Sequence, residues 1–192
     1  IKNMWTATSV DAARSAYEKG TSVPTGLSGQ PSLTTLSSLS TSSSPIMADD
    51  LLYYFYLYAR HEDEDFDQDD INDGTDPWPY GHGVVDLALD ADHGASPKLA
   101  AEATIAMNMW MMIVHQLYES TRECSSGSTD APKYLDSAVG LWIGEQQGEG
   151  LFDTGYSVYS LAQEAHKLFG NVDGEAPSNE NLMDAFIEAQ VV

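Results

Sequence analysis

Nine carboxylates, two histidines and one tyrosine fall within twenty-two consecutive residues, in the run HEDEDFDQDDINDGTDPWPYGH from His61 to His82. Carboxylate, imidazole and phenolate are the hard and borderline donors that Ca²⁺, Mn²⁺ or iron take. The segment is therefore either a cation site or a solvated acidic loop. Its candidate ligands are His61, Asp65, Asp67, Asp69, Tyr80 and His82. An EF-hand register starting at Asp65 puts Asp65, Asp67, Asp69 and Asp76 at ligand positions. The position that the motif's sharp turn reserves for glycine is Asp70, and the bidentate glutamate is replaced by Asp76. A looser site for Ca²⁺ or another cation fits these residues better than a true EF-hand.

Two smaller groups have comparable chemistry. His115 and Glu119 stand four apart, so on a helix they share a face and can chelate one ion. The plainer reading makes His115 a satisfied core histidine and Glu119 a partner for Arg122, and it is the commoner outcome for such pairs. Asp86, Asp90 and His93 form the other group, near His82. They read equally as a donor cluster on a helix over 84–91 or as helix-end charge and a cap. Nothing else in the chain suggests catalysis. Cys124 lies in ECSSGS without an activating partner, and no Gly-x-Ser-x-Gly, phosphate-cradling loop or His-Glu-x-x-His occurs. A di-iron carboxylate bundle needs a Glu-x-x-His pair on each of two helices, and there is none.

Charge narrows the partners. The chain has 192 residues, with 30 acidic and 8 basic side chains and a net charge of −22. Nucleic acid and anionic membrane surfaces would be repelled, whereas cations or a high-salt medium would not. Outside the acidic run, the surplus reads most simply as solubility. One cysteine excludes an intrachain disulfide. The longest apolar stretch, 100–117, is interrupted by Glu102, Asn108, His115 and Gln116 and suits a buried helix better than a membrane span. The sequence opens at Ile1 with no leader pattern, as a processed or excised piece would.

These side chains need elements to hold them. Ser9 can cap a helix over 9–19 that closes at Gly20. Residues 21–45 hold nine serines and three prolines, a linker or arm with Leu27, Leu33, Leu36 and Leu39 as possible anchors. Residues 46–60 read as a buried helix with Asp49 and Asp50 in its first turn. The clearest helix runs over 97–121, with Ser96 as cap and Pro97 in the first position. Others are expected over 131–145, 154–169 and 178–190, and Trp5, Trp78, Trp110 and Trp142 serve as core or arm anchors. The expectation is an all-α compact bundle of five or six helices with a long irregular Ser/Thr-rich arm. In domain terms, 1–20 is an N-terminal helix, 21–45 the arm, and 46–192 a helical domain carrying the acidic loop 61–82.

Two runs in the last third, YLDSAVGLWIG from Tyr134 to Gly144 and YSLAQEAHKLFG from Tyr159 to Gly170, flank a glycine-rich gap. Over residues 130–190 this pattern resembles the low-iron-inducible, iron-assimilating periplasmic proteins of algae, to which phytotransferrins are related. The resemblance implies a secreted, periplasmic or cell-surface protein that binds Fe³⁺ with carbonate as a co-ligand and delivers it for uptake. The function expected on both grounds is non-catalytic iron binding in iron assimilation. The alternative is a structural or adhesion module, in which residues 21–45 dock onto other chains of a surface assembly and the acids hold Ca²⁺ or stay solvated.

Overall fold

A computed structural model describes residues 1–20, 35–41, 47, 50–51, 80–144, 155–170 and 174–190. The expected helix over 46–60 therefore lies outside the described residues except for Met47, Asp50 and Leu51. Every regular element among the described residues is helical, as the all-α expectation required. In chain order they are α1 (Lys2–Trp5), α2 (Val10–Glu18), α3 (Ser38–Thr41), α4 (Tyr80–Ala88) and a 3₁₀ turn (Ala91–His93). Then come α5 (Pro97–Ala103), a π-helical segment (Thr104–Met109), α6 (Trp110–Ser125), α7 (Ala131–Ile143), α8 (Val158–Leu168) and α9 (Pro177–Ala189). The chain divides into two compact units, Ile1–His115 and Gln116–Val192.

In the first unit, the Ser9 hydroxyl accepts the Ala12 N–H at 3.2 Å and opens α2, whose inner face buries Ala13 and Tyr17. α1 packs on α2 and α5, and Lys98 on α5 sits 5.2 Å over the Trp5 ring. Part of the serine-rich stretch folds back here. Leu36 and Leu39 are buried, and the Ser37 N–H donates to the Tyr17 carbonyl at 3.2 Å. These are two of the four leucines expected as anchors; Leu27 and Leu33 lie outside the described residues.

The expected helix over 97–121 is present and extends to Ser125. Ser96 caps it through the Leu99 N–H at 3.2 Å, with Pro97 in the first turn. It is not uniformly α-helical: Thr104–Met109 is a π-helical segment, beginning where the Thr104 hydroxyl donates to the Ala100 carbonyl at 2.8 Å. A π turn holds more residues than an α turn, so it re-phases every side chain that follows it. Ile105, Met111, Met112 and Ile113 are nonetheless all buried, each worth on the order of 2 kcal/mol by apolar transfer. The same helix also buries a polar group, His115.

In the second unit α8 packs against α7 and α9. Gly144 ends α7 at φ 69°, ψ −164°, and a Cβ there would lie 2.6 Å from the Ser157 Cβ, so both backbone and space demand glycine. The Ser157 hydroxyl donates to the Ile143 carbonyl at 2.7 Å across the same approach. Between α8 and α9, the buried Gln163 amide donates to the Gly174 carbonyl and accepts the Ala176 N–H, both at 2.8 Å. Tyr159 donates to Glu175 at 2.6 Å, and burial and that carboxylate both push its phenol pKa up.

Candidate metal centre

Of the ligands expected in the acidic run, His61, Asp65, Asp67 and Asp69 lie outside the described residues. Tyr80 opens α4. His82 is on α4 as well, and its setting is that of a packing residue. Its ring stacks on Tyr17 with centroids 5.7 Å apart and planes 12° from parallel, and Nδ1 lies 3.1 Å from the Tyr17 hydroxyl. Burial raises the Tyr17 pKa and lowers that of His82. The buried Asn108 side chain, in the π segment, donates to the Tyr17 oxygen at 3.5 Å. Its Oδ1 has no partner among the described residues.

Asp86, Asp90 and His93 resolve as helix-end charge and a cap. α4 stops at Ala88, and Asp90 accepts the Asp92 N–H at 2.8 Å to cap the 3₁₀ turn. His93 Nδ1 lies 2.8 Å from the other Asp90 oxygen. The Asp92 N–H and, next, the His93 side chain lower the Asp90 pKa. Asp86 turns the other way and pairs with Arg14, which also reaches Glu18 at 3.3 Å.

The donors that do converge are Asp50, His115 and Glu119. One ligand atom from each lies within 4.8 Å of the others, and all three residues are buried. Among the described residues no other His, Cys, Asp or Glu group of this kind occurs. The boundary between the two units falls inside α6, just after His115. Glu119 follows one turn later on this continuous helix, on the face of His115. Asp50 reaches His115 from 65 residues earlier in the chain: Oδ2 lies 2.8 Å from Nδ1, and both side chains are 2% exposed.

The chemistry of this group follows from which atoms are used. A neutral imidazole that donates Nδ1–H to a carboxylate presents Nε2 as a lone pair. His115 Nε2 is buried without a partner among the described residues, a condition that costs about 1–3 kcal/mol where nothing relieves it. The imidazole has two nitrogens to offer, and each gives a coherent donor set. Through Nε2, Asp50 orients the ring and raises its basicity from behind. Through Nδ1, the 2.8 Å spacing matches two adjacent metal bonds of about 2.1 Å near a right angle. Glu119 supplies the second carboxylate; its side chain is 10% exposed, and Arg122 Nη2 donates to its Oε2 at 2.5 Å.

Two oxygens and one nitrogen suit iron, manganese or zinc, with positions left for water or a small anion. Ca²⁺ asks for about six to eight oxygens and fits poorly. The sequence pointed to half of this centre through the spacing of His115 and Glu119. Asp50 carried no signal beyond its place in an expected helix's first turn, because a contact across 65 residues leaves no local pattern. The fold and the cluster together define an all-α protein with a buried carboxylate–imidazole donor group. No protein-family model, curated protein or solved structure matches the chain.

Proposed function

We propose that this protein binds a single transition-metal ion through Asp50, His115 and Glu119, and that the ion is iron, held for assimilation rather than for catalysis. The observation that carries the metal reading is the convergence of three buried donors within 4.8 Å, with one imidazole nitrogen that has no partner among the described residues. Burial separates this group from exposed carboxylates among the described residues, such as Asp11 and Asp92, in a chain with net charge −22. Iron is favoured by the mixed oxygen and nitrogen donors and by the resemblance of residues 130–190 to iron-assimilating proteins of algae. On that resemblance the protein works outside the cell or in the periplasm. Bound metal there is cargo, so a site with open positions and a neutralising surface charge suits release as well as capture.

Adding Fe³⁺ and carbonate to the apo protein tests where iron sits. Binding at Asp50, His115 and Glu119 involves no tyrosine, so it gives saturable uptake without a tyrosinate charge-transfer band in the visible. A visible band lost on Tyr80→Phe would place the iron in the acidic run instead. No uptake of Fe²⁺, Fe³⁺, Mn²⁺ or Zn²⁺ above nonspecific levels, together with a stable multimer that needs residues 21–45, would favour the structural module. Against that alternative stands the position of residues 35–41, where Leu36, Ser38, Leu39 and Ser40 are buried within their own chain.

A further inference from the structure

Arg122 is a charged group in direct contact with the proposed metal centre that the ligand set does not use. Its Nη2 donates to Glu119 Oε2 at 2.5 Å and lies 3.4 Å from Glu123 Oε1. The guanidinium is 54% exposed, whereas Glu119 is 10% and Glu123 24% exposed at the side chain. One cation at the mouth of the site thus touches two carboxylates, an inner one that the metal would need and an outer one that it would not. Resting on the metal reading above, we propose that Arg122 is a resident counter-cation that sets the affinity of the centre. In the metal-free protein it neutralises Glu119, and an incoming ion displaces it onto Glu123, which already lies on its path.

Charge counting supports the exchange. With Arg122 on Glu119, the two ligand carboxylates and one guanidinium sum to one negative charge, and a metal dication must enter beside a positive group. Moving the guanidinium to Glu123 restores the full double negative charge at the centre while keeping Arg122 paired. Both steps need only side-chain rotation, because the three residues share one face of the last turns of α6. A partly exposed arginine turns about its side-chain bonds in nanoseconds, so the exchange does not limit capture. The device holds affinity below what the bare donors would give, which a cargo protein needs if it is to release its metal.

Zn²⁺ titration of the full chain against a competing chromophoric chelator, in wild type and three variants, reads this directly. Arg122→Gln removes the counter-cation and tightens Zn²⁺ binding by about tenfold or more, since a like charge no longer sits beside the ion. Arg122→Lys keeps the charge and stays close to wild type. Glu123→Gln removes the receiving carboxylate and weakens binding several-fold. Both positions have exposed surface, and far-ultraviolet circular dichroism confirms that each variant is folded. If wild type binds and Arg122→Gln binds equally or more weakly, the counter-cation role is overturned while the metal centre stands. If neither wild type nor Arg122→Gln binds, the metal reading itself fails and this inference goes with it.

Discussion

Replacing Asp50 by asparagine separates the electrostatics of the centre from its packing. The amide has the shape of the carboxylate, and its Oδ1 can still accept the His115 Nδ1–H now at 2.8 Å. What disappears is the negative charge, and what appears is a buried NH₂ that costs about 1–3 kcal/mol if it finds no acceptor. The apo variant should therefore be modestly less stable, and its response to metal is the informative quantity. Losing a carboxylate behind a ligating histidine costs about 10–100-fold in affinity, and losing a direct ligand costs more. At free metal about 100 times the wild-type Kd, binding stabilises the wild type by about 2.7 kcal/mol. If Asp50→Asn raises Kd about 100-fold, the same metal concentration stabilises the variant by only about 0.4 kcal/mol.

For a chain of this length each kcal/mol moves Tm by about 2–4 °C, so metal should raise the wild-type Tm by roughly 5–11 °C and the variant's by about 1–2 °C. Each shift is measured against the same protein without metal, by calorimetry, following the transition that responds to metal in the wild type. Equal shifts in the two proteins would refute the assignment, because no ligand or orienting role for Asp50 survives them. An apo variant destabilised by well over 3 kcal/mol would show instead that the carboxylate is needed for folding. The experiment would then move to Glu119→Gln, whose side chain is reachable from solvent.

The remaining predictions concern the scaffold. Below pH about 6.5 the unfolded chain protonates at His82 while the folded chain, in which burial lowers that pKa, does not. Stability is thus unaffected by His82 above that pH and falls as pH drops from about 6.5 through the lowered folded value. Denaturant titrations of His82→Gln should show a smaller loss of stability than wild type between pH about 6.5 and the carboxylate range near pH 4. Gly144→Ala should cost about 2 kcal/mol or more in urea unfolding, from its φ of 69° and the 2.6 Å approach to Ser157. A neutral outcome there would mean that Ser157 moves aside and the backbone relaxes.

The helices were legible wherever caps and breakers surrounded an apolar period. Ser9, Ser96 and Pro97 mark the ends the structure uses, and Gly144 ends α7 within two residues of the expected limit. The π segment was not legible, because Thr104–Met109 has the same good helix formers and apolar period as its flanks. The Thr104 hydroxyl bonds the preceding turn at the segment's start and a buried Asn108 lies inside it, and neither residue type announces a π turn in sequence. Leu36 and Leu39 were legible as anchors and are buried, but the hydroxyl pairing around them was not. The serines around them look like linker until the buried hydroxyls of Ser38 and Ser40 are seen paired with Thr35 and His82.

For the site, acidity was the louder signal and burial the more useful one. Residues 61–82 carry nine carboxylates, and a cluster that dense repels itself unless cations or solvent neutralise it. A pair such as His115 and Glu119 looks ordinary in sequence, and the structure shows its plain partner while placing it in a candidate donor cluster. Glu119 does pair with Arg122, as the plain reading held, yet the same carboxylate lies in the only described donor cluster. The plain reading and the functional one were posed as rivals because a sequence shows one partner at a time. A buried carboxylate has two oxygens, and an arginine on one of them leaves the other for a metal. What decides between a static ion pair and a gated centre is the third residue, Asp50. It leaves the His115 ring with one nitrogen engaged and the other without a partner among the described residues, and a buried lone pair is rarely left unanswered.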